Sequence, residues 1–225
     1  MKTGLKGSLI LGVLLTGGST ATALGQSAAA TPEGRLVFTI HVYNGAAVDH
    51  MTLIQAERTA TEIFKKAGVE SRWVDSVPPP EDKRANSVYK GSFPFSHIQL
   101  TILPSWTSIR VGLPHDLSNT ATGLAPGSGP DRQSVYVFYD RVGILAKHVA
   151  DTHADEGQIT GHVIAHEIGH LLLNAQTHPA TGIMRSPWNL WDLQQASYGH
   201  LIFTQQQAQV IRQEVGRRLR QPPAK

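Results

Sequence analysis

Alternation of hydrophobic and polar residues along the chain predicts four β-strands. The first strand spans residues 35–43, where one face is hydrophobic at every second position: Leu36, Phe38, Ile40 and Val42. Because its other face also carries Val37, we expect this strand to lie inside a sheet. The remaining strands are predicted at residues 69–75, 97–103 and 133–139. Residues 104–132, rich in glycine, proline and serine, predict a long loop with a short edge strand near Gly123.

Hydrophobic positions three to four residues apart predict the helices. The first helix runs from about Asp49 to Gly68, and the glycine ends it. Residues 143–153 give a weaker helical pattern, and residues 156–173 predict a strongly apolar helix. The last helix covers residues 204–219, with a threonine as its N-cap and with arginines that we expect to form a solvated C-terminus. These elements indicate an α+β fold.

The apolar helix carries the residues with the clearest chemistry. His166 and His170 are four positions apart, so their imidazoles lie on one face of the helix. Two neutral imidazoles in this arrangement can bind one Zn²⁺, and His-Glu-x-x-His on a helix is the zinc-peptidase pattern. Glu167 lies between them, off the ligand face, where it can act as a general base toward a water molecule.

A zinc site of this kind needs a third protein ligand. The candidates downstream of His170 are His178, Asp192, His200 and Glu214, with Asp192 and Glu214 as the second and third choices. His178 is preferred because of its residue type and its proximity. Asn174 tolerates the left-handed conformation that ends helices, so a turn there would return His178 to the metal.

His166-Glu167-Ile168-Gly169-His170, a further histidine and Gly182-Ile183-Met184 together resemble the metzincin clan of zinc-dependent metallopeptidases. The resemblance implies His166, His170 and His178 as zinc ligands, Glu167 as general base and Met184 as the hydrophobic floor of the site. It also implies a zincin-like fold: a mixed, mainly parallel sheet of about four to five strands, packed on a long helix and on the metal-binding helix, with a small C-terminal helical subdomain.

The sequence departs from the clan pattern in the loop after the second histidine. The clan has a glycine three residues after that histidine and its third ligand six residues after it. Here those positions are Leu173 and Gln176. The sequence fits the pattern if the turn is delayed to Asn174 and lengthened by two residues.

Several other residues near the motif have open interpretations. Arg185 and Tyr198 are candidate stabilisers of the oxyanion that develops during attack on a carbonyl. His162 precedes His166 by one helical turn, and we expect a partly exposed histidine there rather than a partner of the ligands. Trp188 and Trp191 are expected to pack in the core rather than to line a cleft.

The N-terminus predicts export. Residues 1–25 combine a basic start, a short apolar run and small residues, which is typical of a signal peptide, and residues 26–34 form a flexible lead-in. Residues 35–220 are expected to form one domain, with an upper part (35–173) and a lower part (174–220). The chain has no cysteine, which excludes disulfides, cysteine-based catalysis and a cysteine-switch latency mechanism.

These observations predict a secreted or periplasmic zinc metallopeptidase that acts on peptides or proteins. Without Lys2 and Lys6 of the signal peptide the formal charge falls from +3 to +1, which gives no indication of a nucleic-acid partner, and no stable membrane insertion is expected after signal cleavage. The competing interpretations are a secreted binding domain that uses zinc as a structural staple, with Asp192 or His200 as a fourth ligand, and a zinc hydrolase acting on another bond. The oligomeric state stays open.

Overall fold

A computed structural model describes residues 34–76, 93–111, 121–127, 129, 132–147 and 155–222. The predicted signal peptide and nearly all of the lead-in lie outside the described residues. The strands are β1 (Val37–Asn44), β2 (Glu70–Asp75), β3 (His97–Leu103), β4 (Gly123–Leu124) and β5 (Ser134–Phe138). The helices are α1 (His50–Lys66), α2 (Tyr139–Lys147), α3 (Glu156–Leu172), α4 (Leu190–Ser197) and α5 (Gln205–Arg220), and a 3-10 helix covers Ser105–Val111.

The five strands form one sheet in the order β2-β1-β3-β5-β4. All neighbouring strands are parallel except β4, which pairs antiparallel with β5 at the edge. The alternation seen in the sequence places Ile40, Leu100 and Val137 on the face that packs against the helices, where each is fully buried. The interior position of β1, the mainly parallel sheet and the edge strand near Gly123 are therefore confirmed.

Helix α3 is buried along nearly its whole length because α1 packs closely against it. Two glycines make this approach possible. A Cβ atom at Gly161 would lie 2.5 Å from the carbonyl oxygen of Ala56, and one at Gly157 would lie 2.9 Å from that of Thr52. No helix in the described part of the chain is long and apolar enough to cross a membrane.

Two helices differ from the sequence prediction. Helix α2 begins at Tyr139 rather than Gly143, because the chain passes directly from the end of β5 into the helix. The end of the predicted helix, residues 148–153, lies outside the described residues. Helix α4 was not predicted, since only Asp192, Leu193 and Ala196 of its eight residues are buried and its hydrophobic pattern is correspondingly short.

The prediction that the C-terminal end of the last helix is solvated is wrong for Arg218, whose exposed fraction is 1%. Helix α5 packs against α3 and β1, and Arg218 continues the buried face formed by Ile211 and Val215. Its Nε donates to Glu214 Oε1 at 2.7 Å, and Nη1 donates to the carbonyl of Arg132 at 3.0 Å. The guanidinium thus joins α5 to the segment that enters β5.

We expect Arg218→Met to lower the free energy of unfolding by about 1–3 kcal/mol, because it removes one of the two guanidinium partners of Glu214 and leaves the carbonyl of Arg132 without this donor. The loss is measured by urea unfolding monitored by circular dichroism. Arg217→Met is the matched control, since Arg217 donates to the same carboxylate but its side chain is 31% exposed. An equal loss in both variants would contradict this account.

Candidate metal centre

The histidines of α3 are held by a well-terminated and buried helix. Asp155 caps its N-terminus in a reciprocal capping box with Gln158. His166 and His170 follow one turn apart, with exposed fractions of 8% and 5%, and their Nε2 atoms are 3.1 Å apart. The predicted placement of both imidazoles on one helix face is therefore present in the structure.

The chain reverses directly after α3 and returns to these histidines. Asn174 has a φ of 47°, the left-handed conformation that the sequence indicated, and the Ala175 N–H donates to the carbonyl of His170 at 3.3 Å. The reversal places His178 Nε2 3.2 Å from His170 Nε2. Potential ligand atoms of His166, His170 and His178 all lie within 4.8 Å of one another. The delayed turn thus brings the three predicted histidines together.

Backbone carbonyls orient two of the three imidazoles. His166 Nδ1 donates to the carbonyl of Ile183 at 2.8 Å, and His170 Nδ1 donates to that of Ala175 at 2.8 Å. A carbonyl only accepts, so the ring proton must lie on Nδ1 and the lone pair of each Nε2 is free for a metal ion. Trp188 Nε1 shares the Ile183 carbonyl at 3.1 Å and its ring packs edge-on against His166.

Burial keeps the imidazoles neutral. It lowers the pKa of His166 to about 3 and also lowers the pKa values of His170 and His178, and mutual repulsion between the rings acts in the same direction for His166 and His170. Neutral imidazoles are the form that binds metal ions. His178 is the most exposed of the three, so one side of the cluster faces solvent.

Glu167 lies beside the cluster but is not part of it. Its exposed fraction is 6%, and burial raises the pKa of its carboxyl to about 8. The side chain packs under the edge strand, where a Cβ atom on Gly123 would lie 2.5 Å from both Cγ and Oε1 of Glu167. The sequence indicates an edge strand near Gly123 but not the contact of this glycine with Glu167. The only signal for this contact was a glycine in a predicted edge strand, a position where close approach of backbone is common.

Met184 lies beneath α3 with an exposed fraction of 1%. A Cβ atom on Gly169 would lie 2.6 Å from its Sδ, so the sulfur packs against α3 in the space that this glycine leaves open. The preceding Gly182 has a φ of 78°, and Ile183 between them supplies the carbonyl for His166. The Gly-Ile-Met segment is therefore a turn in contact with the histidine cluster.

Two adjoining cavities open onto the cluster. A cleft of about 610 Å³ is lined by the three histidines, Glu167 and residues 121–125. A smaller pocket of about 160 Å³ lies on the other side of His166, between α3 and the segment that follows Met184. Its walls combine the apolar side chains of Leu145, Val163 and Trp188 with polar groups.

The other predicted site residues are not members of the histidine cluster. Arg185 lines the smaller pocket, and its guanidinium pairs with Asp192. Tyr198 is 59% exposed at the end of α4 and lines neither cavity. The alternative third ligands have other partners, since Asp192 binds Arg185 and Glu214 binds Arg217 and Arg218. Among the described residues, the three histidines form the one group of three or more potential ligands.

Two expectations for neighbouring residues are wrong. His162 is buried, with an exposed fraction of 1%, because neighbouring elements cover its turn of α3 and Trp188 packs edge-on against its ring. Its Nδ1 donates to the carbonyl of Gln158 at 2.8 Å. Trp191 is 63% exposed rather than packed in the core, since it lies on the outer face of α4. Trp188 packs partly against the core, as expected, but it also lines the smaller pocket beside His166, which the sequence prediction did not favour.

Comparison with known proteins gives fold-level similarities only. No protein-family profile and no curated protein sequence matches this chain. Among solved structures, a zinc-dependent peptidase from Methanocorpusculum labreanum is similar with 17% identity and a TM-score of 0.47, over 76% of this chain and 99% of that one. Archaemetzincin from Methanopyrus kandleri is similar with 13% identity and a TM-score of 0.47, over 83% of this chain and 99% of that one. At these scores the function has to be argued from the site itself.

Proposed function

We propose that this chain is a zinc-dependent metallopeptidase of the metzincin type. The observation that carries the proposal is the convergence of three neutral imidazoles at the floor of an open cleft, with a buried carboxylate beside them. His166, His170 and His178 are the ligands in this proposal, and Glu167 is the general base. Three protein ligands leave one position open, which is the arrangement of catalytic rather than structural zinc sites.

The donor set fits a zinc ion. Tetrahedral zinc binds imidazole nitrogens at about 2.0–2.1 Å, which places two such nitrogens about 3.4 Å apart. The Nε2 atoms of the two closest pairs are 3.1 and 3.2 Å apart. The carbonyls of Ile183 and Ala175, which fix the tautomers of two of the rings, are the kind of support that zinc-binding histidines normally have.

Zinc bound at these atoms would polarise the scissile carbonyl and lower the pKa of a water molecule. Glu167 moves the proton: its carboxylate accepts one from the attacking water and donates it to the nitrogen of the leaving amine. Burial raises the pKa of this carboxyl, whereas a Zn²⁺ ion bound to the neighbouring histidines would favour its ionised form, which is the form that accepts the proton. The Cβ-free backbone of Gly123 leaves room for this side chain under the edge strand.

The edge strand supports a peptide as the substrate. β4 is the last strand of the sheet and lines the cleft that contains the three histidines. An extended peptide can add to such an edge through main-chain hydrogen bonds, which would carry a peptide bond past the cluster. The smaller pocket beside His166 would then receive a substrate side chain.

Chelation tests the proposal and separates it from a structural zinc site. We expect removal of zinc by a chelator to abolish peptide cleavage, and one equivalent of Zn²⁺ to restore it, while the apo-protein keeps its circular dichroism spectrum because its core does not depend on the site. Unfolding on chelation, without any cleavage by the zinc-loaded protein, would instead indicate the non-catalytic binding domain. Cleavage of an ester or amide substrate with all peptides left intact would indicate a different hydrolase.

We expect Gly123→Ala to lower kcat/KM for peptides by about 100-fold, because the new methyl group would displace the Glu167 carboxylate. The measurement is peptide hydrolysis at equal zinc content. Gly216→Ala is the control, since a Cβ atom there would make only ordinary contacts, the nearest at 3.4 Å. Unchanged activity in Gly123→Ala would show that the catalytic base lies elsewhere.

The proposal also covers the location of the enzyme and its binding partners. The basic and apolar character of residues 1–25 supports export to the periplasm or the medium, with peptides or proteins as substrates. Without residues 1–25 the formal net charge is near zero, so charge gives no reason to expect a nucleic-acid partner. Detection of the mature N-terminus in the culture medium or periplasm by mass spectrometry tests the export step.

A further inference from the structure

The wall of the cleft opposite the histidines has little support from the sheet. β4 contains two residues, Gly123 and Leu124, and its pairing with β5 extends only to the Thr122 carbonyl, which accepts from the Phe138 N–H at 2.8 Å. A strand this short contributes few ladder hydrogen bonds. Other groups must therefore hold residues 121–127 in place.

Two arginines hold this segment, one at each end. Arg141 on α2 donates from Nη1 to the carbonyl of Ala121 at 2.7 Å. At the other end, Nη1 of Arg132 donates to the carbonyls of Ala125 at 3.1 Å and Gly127 at 3.2 Å. The guanidinium groups thus satisfy backbone carbonyls that the sheet leaves without a ladder partner.

Arg132 also contacts α3, the helix that carries His166 and His170. Its Nη2 donates to the carbonyl of His170 at 2.8 Å, and its Nε donates to that of Gly129 at 3.2 Å. One planar guanidinium therefore binds the edge segment and the backbone of a proposed zinc ligand at the same time. Because the five N–H groups of arginine have a fixed geometry, these bonds set the distance between the two sides of the cleft.

We infer that Arg132 is a positioning residue. It holds the edge strand at a fixed distance from the histidine cluster, so that one extended peptide can bind to the strand and to the cluster at the same time. This inference rests on the proposed peptidase function. Arg132 acts through the backbone carbonyls of Ala125, Gly127, Gly129 and His170, and lines neither cavity itself. Its loss should therefore weaken the binding of long peptides more than it slows the chemical step.

Three variants test the inference. Arg132→Met removes all donors at similar length, and Arg132→Lys keeps the charge without the planar fork. Arg212→Met is the matched control, because Arg212 also donates to a backbone carbonyl, that of Ala67 at 2.8 Å, but lies on α5 and lines no described cavity of the site. Each protein is loaded with zinc and assayed with an eight-residue peptide and with a short substrate that spans only the scissile bond.

For Arg132→Met we expect KM for the long peptide to rise about tenfold, with kcat within about twofold and with one zinc per chain retained. The short substrate should be cleaved as by the parent, Arg132→Lys should be intermediate, and Arg212→Met should match the parent. Amide hydrogen exchange in residues 121–127 should be faster in Arg132→Met than in Arg212→Met. A KM that does not change, or equal losses for long and short substrates, would overturn the inference.

The exchange measurement keeps this test separate from that of the proposed function. If the zinc-loaded parent cleaves no peptide, the proposed peptidase function fails, and the kinetic part of the positioning role fails with it. Fast exchange confined to residues 121–127 in Arg132→Met would still support Arg132 as the residue that holds the edge segment. Exchange equal to that of Arg212→Met would overturn even this part.

Discussion

Replacing Glu167 by glutamine should lower kcat/KM for peptide hydrolysis by about 1,000-fold without loss of zinc. The amide has the size of the carboxylate and should fit beneath Gly123, but it cannot accept a proton from the attacking water. Zinc should remain because the converging ligand atoms belong to the three histidines and not to Glu167. The measurement combines metal analysis with hydrolysis of one peptide substrate.

The matched control for this substitution is Glu62→Gln. Glu62 lies on α1, its side chain is 56% exposed, and its ion pair with Lys65 is at the surface. It should retain the activity of the parent. If Glu167→Gln kept more than about a tenth of the parent's activity, the carboxylate would not be the general base.

The second large effect that we expect is the loss of zinc binding and hydrolysis when the third histidine is removed. We expect His178→Ala to weaken zinc binding by at least about 100-fold and to abolish zinc-dependent hydrolysis, because only two of the three Nε2 atoms remain. Zinc affinity is measured by competition with a chromogenic chelator. The fold should be preserved, since His178 is exposed at the edge of the cleft.

His200→Ala is the control for His178→Ala. The structure places His200 beside Tyr198 and outside the histidine cluster, so its removal should leave zinc affinity unchanged. If His200→Ala lost zinc as readily as His178→Ala, or if His178→Ala bound zinc like the parent, the proposed ligand set would be wrong.

The sheet and the pair of helix histidines could be predicted because both depend on local periodicity. Alternation in residues 35–43 and 97–103 reports directly which side chains face the core, and Ile40 and Leu100 are indeed fully buried. Likewise, a spacing of four residues places His166 and His170 on one helix face whatever surrounds them.

The third histidine could be ranked but not fixed from the sequence. Its position depends on the path of the chain after α3, and that path turns on the left-handed conformation of Asn174. Asparagine permits this conformation without requiring it, so the sequence alone leaves His178, Asp192, His200 and Glu214 as candidates. The structure brings His178 to the cluster, whereas the carboxylates of Asp192 and Glu214 form ion pairs with arginines.

Residues defined by tertiary packing could not be predicted. His162 and Arg218 are polar side chains whose burial depends on elements far away in the sequence, and the structure buries both. Arg132 lies in a loop, and only the fold brings its guanidinium to the carbonyls of His170 and Ala125. Long-range contacts of this kind leave no periodic signal in the sequence.

The most direct test of the central claim is hydrolysis of a defined peptide mixture in H₂¹⁸O by the zinc-loaded protein, analysed by mass spectrometry. A zinc peptidase should release new peptides whose fresh C-terminal carboxylates each carry one ¹⁸O atom, and these products should disappear when zinc is removed. A folded protein with one zinc per chain that leaves every peptide intact would contradict the claim.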